Sequence, residues 1–215
     1  MLLLVAATEP EIARARSLLD SGGIDFLVTG IGPVEAALSL TRALAQMTVP
    51  YRGVVNVGVG GAFAGSGPGL LDLCLARREV LGDLGICLDG RIDDFSPSLA
   101  VPRSFPLENR LLADAEAVLA GAGVPFRTGT FVTVGCVSGT RLRGDMLRDR
   151  HQAICENMEG AALARVCQAF GVDFLEIRAI SNLVEDRDPA AWRLREAAEA
   201  ACRAAAGLLP ALRGN

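Results

Sequence analysis

Short apolar runs alternate with helical stretches along most of the chain, and this alternation constrains the fold more than any other feature. Leu2–Ala7, Ile24–Thr29, Gly53–Val59 and Asp173–Ile180 are rich in Val, Ile and Leu and too short for buried helices, so they read as strands. Leu71–Ala76 and Glu79–Leu88 read as shorter strands around a bend, Phe126–Val134 as another, and Gln152–Cys155 as a brief one. The intervening stretches predict helices to about Leu19, over Val34–Ala45, Leu107–Ala120, after Gly139, over Asn157–Phe170 and over Ala190–Ala206. Ser21-Gly22-Gly23 reads as a turn, Gly60-Gly61-Ala62 as a tight turn or a close approach to a ligand, and Asp89–Arg103 as a long mobile loop. Helices between strands favour an α/β sheet covered on both faces, a pattern that several doubly wound sheets satisfy. Ligands in such folds bind beyond the carboxyl ends of strands. Glu11, Gly60, Gly61, Glu159 and Asn182 all follow predicted strands and can therefore converge.

At 215 residues the chain fits one domain, or one with modest insertions. Its 51% hydrophobic content supports a substantial core, which small and branched aliphatics must fill because only 5% is aromatic. The net charge of −4 argues against a nucleic-acid partner. Asp145 and Asp149 interrupt the local cluster of Arg141, Arg143, Arg148 and Arg150, which reads as a solvated helical face. The N-terminal MLLLVAA lacks the basic start of a secretory signal, and no stretch reaches the length of a membrane span. A cytoplasmic protein without membrane contact is expected. Cys74, Cys87, Cys136, Cys155, Cys167 and Cys202 form no CxxC pair, which favours reduced thiols over a disulfide framework. His151 is the only histidine, so a His-rich metal centre is not expected, and the cysteines lack the spacing of a structural zinc site. No cofactor is expected.

Glu156–Asp188, ENMEGAALARVCQAFGVDFLEIRAISNLVEDRD, resembles the C-terminal signature of the nucleoside phosphorylase/nucleosidase family, and within it is most similar to the futalosine hydrolases. Weaker matches lie at Gly58–Phe63 in VNVGVGGAF and at Glu79–Gly85 in REVLGDLG, and TEPEI resembles the family's N-terminal acidic motif. The resemblance implies a three-layer α/β/α fold with a central, mostly mixed sheet of the nucleoside phosphorylase type, in one catalytic domain over residues 1–215. It further implies cleavage of a purine N-glycosidic bond by water: futalosine would give hypoxanthine and dehypoxanthine futalosine for menaquinone synthesis. The family commonly pairs subunits, so a homodimer or higher homo-oligomer is expected.

Such a reaction needs a positioned water, stabilisation of a ribosyl cation and a hydrogen-bond partner for the departing base. The resemblance makes Glu11 the water-activating carboxylate. Glu11 also stands three residues beyond Thr8, as a capping box requires, and the two uses compete for one side chain. The resemblance makes Met158-Glu159 the ribose element, with Glu159 accepting from the 2′- and 3′-hydroxyls and Met158 packing on the sugar. Residue type alone allows a first-turn acid beside a core methionine. Asn182 occupies the position at which the family's adenine-cleaving members carry aspartate. Its amide suits a 6-oxopurine, although an Asn-stabilised turn also explains Ser181-Asn182. Gly60 and Gly61 let the backbone approach base or ribose, and Gly30 and Gly32 serve either an approach or a turn. Glu176 and Arg178 alternate along one strand and read as a structural ion pair. Methylthioadenosine or adenosylhomocysteine cleavage, phosphorolysis, and purine sensing without turnover remain the alternatives.

Overall fold

The computed structural model describes residues 1–19 and 22–214, so Ser21 of the expected turn lies outside the described residues. The strands are β1 (Leu2–Ala6), β2 (Ile24–Val28), β3 (Gly53–Phe63), β4 (Leu73–Leu81), β5 (Ile86–Leu88), β6 (Arg91–Asp93), β7 (Ser104–Pro106), β8 (Arg127–Thr133), β9 (Ala153–Asn157) and β10 (Asp173–Val184). The helices are α1 (Glu9–Leu18), α2 (Pro33–Gln46), α3 (Arg110–Gly121), α4 (Arg141–His151), α5 (Gly160–Phe170) and α6 (Leu194–Gly214).

Every residue of β1 is buried, and its alternation feeds two different cores. Leu2, Leu4 and Ala6 pack with residues of α1, α3 and α6, whereas Leu3 and Val5 pack with residues of α2 and α5. That division produces the expected three layers. The central sheet is mixed and, among the described residues, eight-stranded, in the order β10-β4-β8-β9-β3-β1-β2 with β7 beside β4. β3 runs parallel to β1 and β10 and antiparallel to β9. β10 also pairs antiparallel with β4, so β3, β10, β4, β8 and β9 close into a ring. Strand patterning in the sequence does not reveal this closure.

Several boundaries differ from the sequence reading. The bend expected between the strands Leu71–Ala76 and Glu79–Leu88 is a β-bulge between Ala76 and Arg78 inside one strand, β4. Arg77 and Arg78 are both exposed there, because a bulge places two successive residues on the same side. In the sequence two adjacent charges look like a break. Gly60-Gly61 is not a turn: β3 continues to Phe63 because β9 and β10 pair with it on both sides. Asp89–Arg103 is only partly loop, since β6 turns back on β5.

Helix α5 begins later than expected. Asn157 remains in β9, and its Oδ1 accepts the N–H groups of Glu159 and Gly160 at 3.0 and 2.8 Å. Strand β10 runs past Ile180 through a second bulge, so Asn182 lies within a strand. A 3-10 turn at Pro189–Ala191 delays the last helix to Leu194.

Candidate active site

Glu11, Gly60, Gly61, Met158, Glu159 and Asn182 line one cavity of about 920 Å³. The carboxyl ends of β1, β3, β9 and β10 bring them together, with α1 and α6 forming further wall. No residue of Asp89–Arg103 lines it.

The capping box at α1 is open. Thr8 occupies the N-cap position without bonding the helix backbone through its side chain. Its Oγ1 instead donates to Glu11 Oε2 at 2.7 Å, and the Val59 N–H donates to Glu11 Oε1 at 3.1 Å. Glu11 therefore bridges the Thr8 hydroxyl at its own helix start and the β3 backbone, and is buried on the cavity wall. The two donors fix the carboxylate's orientation, which is what a positioned acceptor for a water proton needs.

Glu159 is held from both sides. The Gly32 N–H donates to Oε1 at 3.0 Å, and Arg178 Nη2 donates to Oε2 at 3.2 Å. Gly32 adopts φ 89°, in the region that favours glycine, and this conformation presents its N–H to Glu159. Glu159 sits at the N-cap of α5, one residue before the first turn. Met158 beside it is half-buried and lines the cavity rather than packing wholly in the core.

Arg178 is the functional residue that sequence reasoning underestimated. Its expected pair with Glu176 is present, with Nε 2.9 Å from Glu176 Oε1. The same guanidinium also reaches Glu159 and donates through Nη1 to the Val59 carbonyl at 3.0 Å. Burial would lower its pKa, but the charges of Glu176, Glu159 and Glu11 outweigh burial and raise it. Arg178 thus stays cationic, bonded to Glu159 and within the field of Glu11. The signal was available: a buried arginine carries more donors than the one glutamate two residues away in the same strand can satisfy.

Glycine makes this assembly possible. A Cβ on Gly58 would stand 2.7 Å from Arg178 Nη1 and 2.8 Å from Glu11 Oε1. On Gly61 it would stand 3.1 Å from Asn182 Nδ2, and on Gly60 2.5 Å from Cys155 Sγ. Asn182 is half-buried, its Oδ1 2.8 Å from the Ser181 hydroxyl and its Nδ2 donating to the Leu183 carbonyl at 3.3 Å. The bulge at Ser181 sets its side chain beside Gly61.

Behind the site lies a second pair of carboxyls. Glu79 Oε2 accepts from Thr133 Oγ1 at 2.8 Å, and Oε1 accepts from Asn157 Nδ2 at 2.5 Å. Glu79 and Glu176 are both fully buried, and a side chain on Gly160 would collide with both. Burial, then the charge of Glu176, push the Glu79 carboxyl well above its ordinary value. Glu176 is ion-paired with Arg178, so of the two carboxyls Glu79 is the one whose neutral form is favoured. The apolar surroundings of REVLGDLG gave no hint of a partner for Glu79.

The remaining side chains have plainer surroundings. Asp83 accepts from the Gly135 N–H and pairs with Arg143. The basic cluster on α4 is engaged: Arg141 and Arg148 pair with Asp145, and Arg150 pairs with Asp94. Arg187 lies over the ring of Trp192, 5.2 Å from its centroid, and Trp192 lines the cavity. His151 is half-buried next to the Gly82 carbonyl, and burial lowers its pKa. All six cysteines are free, with Cys87 and Cys136 exposed. Among the described residues no cluster of three or more His, Cys, Asp or Glu side chains is arranged to hold a metal ion, and no helix is long and apolar enough to cross a membrane.

Comparison with known proteins places these features in context. Residues 18–212 match the family model described as the phosphorylase superfamily. The futalosine hydrolase of Streptomyces coelicolor is 38% identical over 195 residues, covering 88% of this chain and 80% of that protein. The futalosine hydrolase of Thermus thermophilus is 38% identical over 206 residues, covering 94% of this chain and 88% of that protein. A solved structure of the 5′-methylthioadenosine/S-adenosylhomocysteine nucleosidase of Helicobacter pylori superposes with a TM-score of 0.84 over 97% of each chain, at 20% identity. The last is a likeness of fold.

Proposed function

The chain belongs to the phosphorylase superfamily, and on that premise we propose that the protein hydrolyses the N-glycosidic bond of futalosine, releasing hypoxanthine and dehypoxanthine futalosine for menaquinone biosynthesis. The observation that carries this reading is the meeting of Glu11, Glu159 and Asn182 on one cavity. The similarity to two futalosine hydrolases supports it.

As the C1′–N bond weakens, positive charge grows on the ribosyl ring and negative charge on the base. Glu11, braced by Thr8 and Val59, orients water towards C1′ and accepts its proton. Glu159, braced by Gly32 and Arg178, accepts from the ribose hydroxyls and places negative charge near the developing cation. Met158 packs on the sugar, and Gly60 and Gly61 admit the substrate close to β3. Asn182 offers a donor and an acceptor to a 6-oxopurine. It cannot supply the proton that an adenine leaving group requires. The protein works without a metal or other cofactor, in the cytoplasm, as a homo-oligomer.

Phosphorolysis is the second reading, because Arg14 and Arg195 also line the cavity. One nucleoside panel separates the possibilities: futalosine, inosine, adenosine and methylthioadenosine, each with and without phosphate and chelator. Phosphate-independent, chelator-resistant release of hypoxanthine from futalosine is expected. Obligatory pentose 1-phosphate would establish phosphorolysis, and cleavage of methylthioadenosine with futalosine intact would refute the substrate assignment.

A further inference from the structure

Glu79 and Glu176 are fully buried carboxyls that do not line the cavity, and the chemistry above gives neither a task. Their hydrogen bonds nevertheless lead to Glu159 by two routes. The first reaches its backbone. Asn157 Nδ2 donates to Glu79 Oε1 at 2.5 Å, while Asn157 Oδ1 accepts the N–H groups of Glu159 and Gly160. The second reaches its side chain. Glu176 Oε1 accepts from Asn56 Nδ2 at 3.1 Å and from Arg178 Nε at 2.9 Å, and Arg178 Nη2 donates to Glu159 Oε2.

The two routes meet at one point. Glu176 Oε2 is buried without a hydrogen-bond partner among the described residues. It and Glu79 Oε1 both crowd the place where a Cβ on Gly160 would stand, so glycine leaves them facing each other. Two ionised carboxylates repel in such a space, and a buried acceptor is costly to leave unpaired. A proton on Glu79 Oε1 removes both difficulties. The hydroxyl oxygen accepts from Asn157 and donates to Glu176, and Oε2 remains the acceptor for Thr133 Oγ1 at 2.8 Å. Burial and the charge of Glu176 favour that neutral form. An amide cannot repeat the arrangement. Its nitrogen donates but accepts nothing, so glutamine satisfies either Asn157 or Glu176 and not both.

We propose that Glu79 is a positioning residue for Glu159: as a neutral acid it joins Asn157, which holds the Glu159 backbone, to Glu176 and Arg178, which hold its carboxylate. The assignment rests on reading Glu159 as the acceptor of the ribose hydroxyls. Glu79 touches no substrate and acts only through the residues between.

The test is equilibrium binding of 9-deazainosine, whose C–C glycosidic bond resists hydrolysis, and of its 2′,3′-dideoxy form. Both are measured on the unmodified protein, Glu79→Gln, Glu159→Gln and the double variant, with thermal melting to verify folding. The unmodified protein should prefer the ribo ligand by at least about 10-fold. Glu79→Gln should cut that preference by at least about fivefold while changing binding of the dideoxy ligand less than about twofold. In the Glu159→Gln background the same change should cut it less than about twofold, because the effect passes through the Glu159 carboxylate. An unchanged preference in folded Glu79→Gln, equal losses for both ligands, or a fully additive penalty overturns the assignment.

Infrared spectroscopy tests the unmodified protein without any variant. At neutral pH the C=O stretch of protonated carboxyls should contain a component that shifts when the ribo ligand binds and stays in place with the dideoxy ligand. Absence of such a component overturns the assignment. Futalosine cleavage is scored separately. A protein that meets these expectations but leaves futalosine intact refutes the proposed substrate alone. One that cleaves futalosine and prefers the ribo ligand equally with and without Glu79→Gln refutes the Glu79 assignment alone. No preference for the ribo ligand in the unmodified protein refutes the ribose reading of Glu159, and the Glu79 assignment with it.

Discussion

Arg178 donates to Glu159 across 3.2 Å, and both side chains are almost entirely buried. Glu176 pairs with the same Nη2 at 2.9 Å. The position of Glu159 is therefore set in part by a residue that reaches it from β10, on the other side of β3. Removing one partner of such a buried pair leaves a charge uncompensated and commonly costs about 3–5 kcal/mol. Substitutions here must be judged by kinetics in folded protein.

Glu159→Gln should reduce both turnover and ribose recognition. The neutral amide weakens the contacts to the 2′- and 3′-hydroxyls and removes charge near the ribosyl cation. A 2′-deoxy substrate should lose less additional activity in this variant than in the unmodified enzyme, which tests coupling directly. Fully additive penalties in kcat/KM would count against contact between the carboxylate and the 2′-hydroxyl.

Glu11→Gln should lower kcat by about 10²–10⁴-fold while much of substrate binding survives. Glutamine retains an oxygen for the Val59 N–H but cannot act as a base. Because the capping box is open, little loss of helix stability is expected. A folded variant with near-normal kcat would remove Glu11 from the reaction.

Asn182→Asp should move base preference towards a 6-aminopurine and reduce futalosine hydrolysis. Aspartate carries a proton to N7 if its pKa is raised in place, and it gives up the donor that Asn182 offers. The ratio of kcat/KM for futalosine to that for its adenine analogue, aminofutalosine, should fall. An unchanged ratio would leave Asn182 as a structural residue beside the bulge.

Glu79→Gln should alter how stability depends on pH. Burial and the charge of Glu176 raise the Glu79 pKa above the ordinary 4.5. The folded protein then holds a proton that the unfolded chain has released. The stability associated with it is complete below about pH 4.5 and declines by about 1.4 kcal/mol per pH unit as pH rises towards the folded value. Glutamine needs no proton, so the variant should gain stability relative to the unmodified protein as pH rises above about 4.5. Denaturant unfolding at several pH values measures this. Parallel curves would mean that Glu79 is ionised in the folded state.

Gly160→Ala should destabilise the fold by about 1–3 kcal/mol, as overpacking does, although alanine favours helices. The added methyl would press on the carboxyls of Glu79 and Glu176. Unfolding in denaturant provides the check, and a neutral or stabilising result would show that the carboxyl pair can move aside.

The alternation of apolar runs and helical stretches was enough to place most elements, because burial on both faces leaves a local trace in Leu2–Ala6 and Asp173–Ile180. Family motifs were enough to pick out Glu11, Met158, Glu159 and Asn182. The bulges at Ala76 and Ser181 were not legible, since a bulge depends on the strand that pairs with it. The ring closed by β10 and β3 was hidden for the same reason. The sequence by itself determined which residue types were available for the reaction, and the apolar periodicity that lifts them to the strand ends. Only the tertiary structure decided that Glu11 reaches across to Val59, that Arg178 holds Glu159, and that Glu156 and Asn182 flank Gly61. Each of these is a contact between residues distant along the chain. Such contacts are fixed by strand register and by the space that glycine leaves, and no local pattern encodes either.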